Sequence, residues 1–91
     1  MAKPIKFKDL KVGMLIVRGE HADAQVYTIA ARDSLSILEV KLIWFEGTRL
    51  CSQWTDYSDC YTPTIAQIEH SIAANGRLAS RYDVLDILAI T

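Results

Sequence analysis

The sequence predicts an α+β domain: a small, strongly bent antiparallel sheet of about four strands, like an SH3-like barrel, followed by one or two C-terminal helices. Up to residue 61, short segments rich in β-branched and aromatic residues alternate with turn residues. From residue 62 onward, apolar residues recur at helical spacing instead. Four short strands cannot shield both faces of a sheet unless the sheet curls or a helix covers it, so we expect a bent, capped sheet.

The strands are marked by apolar runs between turn residues. Gly13 supplies the permissive backbone of the first turn. Short turns between the runs favour antiparallel hairpins. We therefore expect strands at 14–18, 25–32, 36–45 and 49–55.

The third of these strands has two different faces, because side chains alternate along a strand. One face is uniformly apolar, which predicts that it faces the core. The other is mixed, and we expect its apolar members to remain outside that core. The first set is Leu38, Val40, Leu42 and Trp44, and the second is Ile37, Glu39, Lys41, Ile43 and Phe45.

A helix is expected to begin after Pro63, with Thr64 as its N-cap, and to stop at Asn75-Gly76. Its apolar residues fall on one helical face, which predicts how it packs. These residues are Ile65, Ile68, Ile72 and Ala73.

The last segment, 78–90, is compatible with either a helix or a strand. Ser80 followed by Asp83 resembles a capping box, which favours a helix. The apolar stripe of that helix would be Leu78, Tyr82, Leu85 and Leu88.

The chain of 91 residues is expected to form a single domain, with a β-rich part at 1–61 and a helical part at 62–91. Its composition, 51% hydrophobic and 23% charged, is that of a globular protein and argues against disorder. The spacing of the strands, rather than any signature motif, resembles the small-barrel group that includes Tudor and KOW domains. That resemblance covers about half of the chain.

The charge of the chain limits the kinds of partner that it can attract. The net charge of −1 argues against strong attraction to nucleic acid or acidic lipid by the whole molecule. The first eleven residues are an exception, because they hold four lysines against one acid. They could be a solvated arm, or they could contact phosphates as part of a nucleic-acid-binding small barrel. The four are Lys3, Lys6, Lys8 and Lys11.

No apolar leader follows the charged N-terminus, and no apolar run is long enough to span a membrane, so we expect a cytoplasmic protein. Cys51 and Cys60 are expected to be reduced thiols that pack as small apolar residues. Paired metal ligands at short spacing are absent from the sequence. We therefore expect no metal and no cofactor.

The stretch "QWTDYSDCY", residues 53–61, is the candidate binding site. Its aromatic and acidic residues could form a cage for a cation or a peptide contact, but only if the chain turns at "DYSD". In an unbroken strand Trp54 and Tyr57 point to opposite faces, and Trp54 would then close the core. The candidate residues are Trp54, Asp56, Tyr57 and Tyr61.

Ile43 and Phe45 are the other candidates, because they lie opposite the expected core face. Either the C-terminal helices cover them, or they form a patch for a partner or a homodimer. Catalysis lacks a convincing constellation: His21 lies near Glu20 and Asp23, but no nucleophile accompanies them. We expect a non-enzymatic interaction module that acts through protein contacts and self-associates, with nucleic-acid binding as the alternative.

Overall fold

The protein is described by a computed structural model that covers residues 3–35, 37–80 and 82–85. A single 3₁₀ turn precedes four strands and one helix of eleven residues. Residues 82–85 form a further helical turn. The elements are η1 (Phe7–Asp9), β1 (Leu15–Ile16), β2 (Tyr27–Asp33), β3 (Glu39–Glu46), β4 (Arg49–Asp56) and α1 (Ile65–Asn75).

The four strands form one antiparallel sheet in the order β1-β2-β3-β4, so each strand pairs with its neighbour in the chain. The expected α+β fold with a four-stranded antiparallel sheet and a following helix is confirmed. The expected SH3-like barrel is not, because β1 and β4 lie at opposite edges and the sheet is open. β1 is also shorter than expected, since Val17 leaves β2 and pairs with Tyr61 instead.

One face of the sheet carries a core cluster that the N-terminal segment covers. Val40 and Leu42 belong to it, as their alternation predicted. Trp44 is only half-buried and Leu38 is exposed, so the expected core face ends sooner than its apolar run. The buried members of this first cluster are Leu10, Ile16, Ile29, Val40, Leu42 and Cys60.

The opposite face carries a second cluster, and it overturns one expectation. Ile43 is 0% exposed and Phe45 is 5% exposed, so neither forms a surface patch. The chain after α1 covers them: Ala79 and Val84 pack into the same cluster. Because both faces of β3 are covered around its middle and end, Ile43 and Phe45 are as buried as Val40 and Leu42 on the other face.

The segment that covers this face is held by polar contacts as well as by packing. The Thr28 hydroxyl donates to the Ala79 carbonyl at 2.6 Å. Ser80 and Asp83 form the expected cap: the Asp83 carboxylate accepts from the Ser80 amide at 2.6 Å, and the Tyr82 amide donates to the Ser80 hydroxyl. Residues 82–85 are helical, in agreement with the favoured interpretation. The rest of that expected helix, including Leu88, lies outside the described residues.

The apolar stripe expected for this last helix is only partly correct. Tyr82 and Leu85 are exposed and Leu78 is half-buried, whereas Ala79 and Val84 are buried. The physical reason is that the chain turns at Ser80, the cap residue. Ala79, just before the cap, and Val84, one helical turn after it, are the residues that reach the sheet.

Helix α1 begins and ends where the sequence predicts. Thr64 and Gln67 form a reciprocal capping box, and the amide of Gly76 closes the last turn onto Ile72. The expected packing face is only partly correct: Ile68 packs against a cluster that contains Val17 and Val26, but Ile65 and Ile72 are exposed. Ile65 is 76% exposed, while the buried residues of the helix are Gln67 and Ser71.

The reason is that the helix docks against backbone groups that need hydrogen bonds. The Gln67 amide nitrogen donates to the carbonyls of Gly19 and His21, at 3.1 and 3.0 Å. The Ser71 hydroxyl accepts from the Val26 amide at 3.1 Å. A buried backbone group without a partner is costly, so these polar contacts decide which face turns inward.

Candidate interaction surface

The stretch 53–61 does not form one pocket. Trp54 lies opposite Lys41 in the β3–β4 ladder, on the face that buries Ile43. Tyr57 packs on the other cluster, beside Val40 and Leu42. Trp54 and Tyr57 are therefore on opposite sides of the sheet and do not build a cation cage together.

Tyr57 is a packing residue that fixes the N-terminal segment. Its ring meets Phe7 edge to face, with 5.5 Å between ring centres, and its hydroxyl donates to the Ile5 carbonyl. Burial raises the pKa of Tyr57, and the neighbouring Cys60 and Asp59 raise it further. The neutral phenol is thus the form that the fold favours.

Tyr61 also has a structural role, on the other side of the turn that follows β4. Its backbone exchanges hydrogen bonds with Val17 at 2.8 and 2.9 Å. Its side chain is half-buried against a small third cluster that includes Val26 and Ile68. Tyr57 and Tyr61 therefore join segments of this chain to one another.

Asp56 ends β4, and its backbone carbonyl contacts a residue that the sequence did not single out. Arg18 donates to the Asp56 carbonyl and to the Thr55 hydroxyl, each at 3.3 Å, and also to the Ser58 hydroxyl. Arg18 thereby ties the end of β4 to the end of β1. A lone arginine after an apolar run gives no such signal in sequence.

Trp54 differs from the tyrosines because it is 45% exposed. The expectation that it closes the core is wrong. It sits on β4, eight residues long, which is an outer strand of the sheet. The described residues place no further strand beside it.

The hydrogen-bond pattern shows which backbone groups of β4 point outward. The Tyr57 amide donates to the Leu38 carbonyl at 2.7 Å, which makes this pair a hydrogen-bonded one. Such pairs alternate along an antiparallel ladder, and the register of β3 with β4 is continuous. Counting back from Tyr57 two residues at a time, the residues whose backbone groups bond inward to β3 are Thr55, Gln53 and Cys51. The N–H and C=O groups of the residues between them, Leu50, Ser52 and Trp54, therefore point away from the sheet.

Within the part of the chain that the structure describes, this edge lacks the usual protection of an outer strand. Natural sheets blunt such edges with charged residues, proline, bulges or a covering segment. Between Arg49 and Asp56 the strand has neither a charge nor a proline. The absence of both was visible in the sequence, and it is the signal that could have identified Leu50 and Ser52 as part of a surface.

The N-terminal lysines form a second surface, which is positively charged whereas the β4 edge is uncharged between its two ends. All four are exposed. The backbone that carries them is ordered by Arg32, which donates to the carbonyls of Phe7 and Lys8 at 2.9 and 3.2 Å. The guanidinium of Arg32 also lies 5.6 Å from the centre of the Phe7 ring. Asp9 and Asp33 are in the same region and offset part of the positive charge.

The two cysteines are free thiols in different places of the fold. Cys60 is buried in the first core cluster, where burial raises the pKa of its thiol, and Cys51 is half-buried on β4. His21 lies 3.6 Å from Asp23 in an exposed loop. No group of three or more potential metal ligands occurs among residues 3–35, 37–80 and 82–85.

An open groove of about 870 Å³ lies between the start of the sheet, at Val12 to Leu15, and residues 78–80 and 82–85. Val12, Leu15 and Leu85 contribute apolar side chains to it. Of its polar members, Ser80 is already engaged with Asp83, and Tyr82 is exposed. The groove has room, but its described lining residues do not supply the converging polar groups that orient a small molecule in a binding site.

The fold and surfaces define a small α+β protein with an open antiparallel sheet. Comparisons with protein-family models, with curated proteins and with solved structures find no match. None of the helical segments in the described part of the chain has the length and apolar character that a membrane crossing requires.

Proposed function

We propose that the protein is a non-enzymatic interaction module that binds an extended segment of another polypeptide along the outer edge of β4. The observation that carries this proposal is the exposure of Trp54 on an outer strand with outward-pointing backbone groups. An added strand would satisfy those groups and cover the indole at the same time. Recognition by strand addition uses the backbone for affinity and alternate side chains for specificity.

The side chains along the β4 edge between its two ends are uncharged, so they favour a polypeptide segment over a highly charged ligand. Leu50, Ser52 and Trp54 share one face of the sheet, adjoining the second core cluster through Leu50. Leu50 and Trp54 lie toward the two ends of the uncharged stretch, and an exposed aromatic residue such as Trp54 is typical of a contact surface. The charged residues of β4 stand at its two ends, where they would flank a bound segment.

The test uses labelled protein and a panel of synthetic ten-residue peptides with alternating β-branched and polar residues. Peptide binding is followed through the backbone amide signals in NMR spectra of the dilute protein. We expect the amides of Leu50, Ser52 and Trp54 to shift most. Ser52→Pro should abolish these shifts, because proline removes an outward N–H group without breaking a bond to β3.

Lys11→Gln is the matched control, since it alters an exposed residue that precedes β1, the strand at the opposite edge of the sheet from β4, and should leave binding unchanged. Shifts that map elsewhere on the sheet, or that persist in Ser52→Pro, would place the binding surface away from this edge. The absence of binding by every peptide would reject strand addition.

A second candidate function is nucleic-acid binding through the N-terminal lysines. The observation that favours it is the fixed position of their backbone, which Arg32 and Tyr57 hold against the sheet. Lysines on an ordered segment can contact phosphates without a large ordering cost. Against it stand the nearby acids and the net charge of −1, so we rank it below the protein contact.

A further inference from the structure

The β4 edge has a property that strand addition by an arbitrary peptide does not require: it is complementary to itself. We propose that a second copy of this chain binds there, so that two β4 strands pair antiparallel about a twofold axis through Ser52. This inference rests on the proposed function, whose partner it names. The result would be one continuous sheet across both copies.

The available length of the edge fixes where the pairing can occur. At one end, the Asp56 carbonyl accepts a hydrogen bond from Arg18 at 3.3 Å. At the other, Arg49 bonds inward, opposite Glu46 in the hairpin. The outward groups that have no partner among residues 3–35, 37–80 and 82–85 lie between these ends, on Leu50, Ser52 and Trp54.

The alternation of inward- and outward-pointing backbone groups along β4 then restricts the register of the pairing. Paired residues of an antiparallel ladder must both point their backbone groups toward the partner, so the residues with outward groups pair only with one another. With Ser52 on the twofold axis, Leu50 lies opposite the partner's Trp54, and Trp54 lies opposite the partner's Leu50. Each of these pairs exchanges both of its N–H···O bonds.

Side-chain chemistry selects this register from its neighbours. Shifting the partner in one direction puts Leu50 opposite the partner's Asp56, which places a carboxylate against an apolar residue. Shifting it in the other direction puts Trp54 opposite the partner's Thr48 and leaves the indole beside the turn. Only the Ser52-centred register sets the exposed aromatic residue against an aliphatic one, which is a favourable cross-strand pair.

This arrangement continues the second core cluster across the interface. Leu50 packs against the cluster that contains Phe45. The partner's Trp54 would lie on Leu50, so the 45% of Trp54 that is exposed in the single chain would be covered. The homodimer thus uses β4, whereas Ile43 and Phe45 serve the interior.

Cysteine cross-linking reads the register directly. Ser52→Cys in a Cys51→Ala background places two thiols opposite each other, at a separation that a disulfide can span. Diamide, which accepts the two thiol hydrogens, is expected to convert this variant into a disulfide-linked dimer. Gln53→Cys in the same background is the matched control, because in this register it lies opposite residue 51 of the partner, which is alanine.

Each neighbouring register gives a different product. Rapid cross-linking of Gln53→Cys, or of the native Cys51, with none through Ser52→Cys would overturn the Ser52-centred pairing. The assembly itself is measured by sedimentation equilibrium. We expect the wild type to approach twice the chain mass of 10.2 kDa at high micromolar concentration. Ser52→Pro should remain a folded monomer.

A wild type that stays monomeric throughout this range, with no Ser52→Cys dimer, would reject self-pairing. The peptide experiment separates that result from failure of the proposed function. Peptide-induced shifts at Leu50, Ser52 and Trp54 in a monomeric protein would leave the edge as a binding surface for other chains. The absence of both dimer and peptide binding would reject the two together.

Discussion

The guanidinium group of Arg77 lies 4.2 Å from the centre of the Phe45 ring and donates to the Asp83 carboxylate at 3.2 Å. Arg77 is thus stacked on the sheet and bonded to the turn that covers it. The Asp83 carboxylate is nearly buried and also accepts from the amide and hydroxyl of Ser80. The segment that covers the second cluster is therefore held at one point by three interactions: the Arg77–Asp83 ion pair, the Ser80–Asp83 cap and the packing of Arg77 on Phe45.

The first prediction concerns this fastening. Asp83→Asn should lower the free energy of unfolding by about 1–3 kcal/mol, because it removes hydrogen bonds to a charged acceptor in a nearly buried position. Urea denaturation measures the change. Glu69→Gln, an exposed charge loss on α1, is the control and should stay within about 0.5 kcal/mol of the wild type. Equal stability of Asp83→Asn and the control would show that the cap does not hold the segment.

The second prediction concerns the polar docking of α1. Gln67→Ala should destabilise the protein by about 1–3 kcal/mol, since the carbonyls of Gly19 and His21 lose their donor. Ile65→Ala, at a position 76% exposed, should change stability by no more than about 0.5 kcal/mol. The midpoints of urea unfolding compare the two variants. A larger loss for Ile65→Ala would mean that the helix packs through its isoleucines.

The third prediction contrasts two aromatic residues. Phe45→Ala should cost about 3–5 kcal/mol, the scale for removing a buried aromatic side chain. Trp54→Ala should cost less than half as much, because the indole is only partly buried in the single chain. Both are measured by chemical denaturation of dilute protein, where self-association does not contribute. Comparable losses would indicate that Trp54 is a core residue after all.

The fourth prediction is an alkaline loss of stability. Burial raises the pKa values of Cys60 and Tyr57 in the folded protein. Their neutral forms are therefore favoured by folding, and this contribution is complete below the pKa values of the unfolded chain. As the pH rises above about 8.5 for the thiol and about 10 for the phenol, the unfolded chain releases protons first and stability falls.

The measurement is the free energy of unfolding between pH 7 and 10.5, by urea denaturation under reducing conditions. Cys60→Ala should show a weaker decline between about pH 8.5 and 10, because the thiol is absent and a phenol with an unfolded pKa of about 10 contributes only near the top of this range. A steeper decline in Cys60→Ala than in the wild type would contradict the role given to the thiol.

The fifth prediction concerns the lysine segment. If it contacts nucleic acid, the wild type should be retained on immobilised DNA or RNA at about 50 mM salt and released as salt rises. Replacing Lys3, Lys6, Lys8 and Lys11 with glutamine should remove that retention. We expect no retention of the wild type, given the acids nearby and the net charge of −1. Strong, salt-sensitive retention would reverse the ranking of the two candidate functions.

Local patterns in the sequence were enough to predict three of the strands and the ends of α1. Thr64 and Gln67 satisfy the first turn of the helix by themselves, and Gly76 ends it through its positive φ of 89°. Such signals act within a few residues, so they are readable without knowing the fold. The alternating pattern of β3 is local in the same sense, and it placed Val40 and Leu42 correctly in the core.

The packing faces were not predictable in this way, because they depend on what crosses them. Ile43 and Phe45 are interior only because the chain after α1 returns over the sheet. The helix turned its polar side inward because the loop around Gly19 exposes carbonyls that require donors. The candidate surface could be predicted only in part: Trp54 was among its residues, but outward-pointing backbone groups on β4 are a property of strand order, which alternation alone does not give.

The two isolated bridges have a consequence for the order in which the chain can fold. The amide of Ile5 donates to the carbonyl of Cys60, and Val17 pairs with Tyr61. These contacts join the beginning of the chain to a segment that follows the whole sheet. During synthesis the hairpin of β3 and β4 can form as soon as it emerges, but the segment around Ile5 must wait for Cys60. Contacts of this sequence separation slow folding, since a long loop must close before they contribute. The last native structure to be completed is therefore expected at the beginning of the chain.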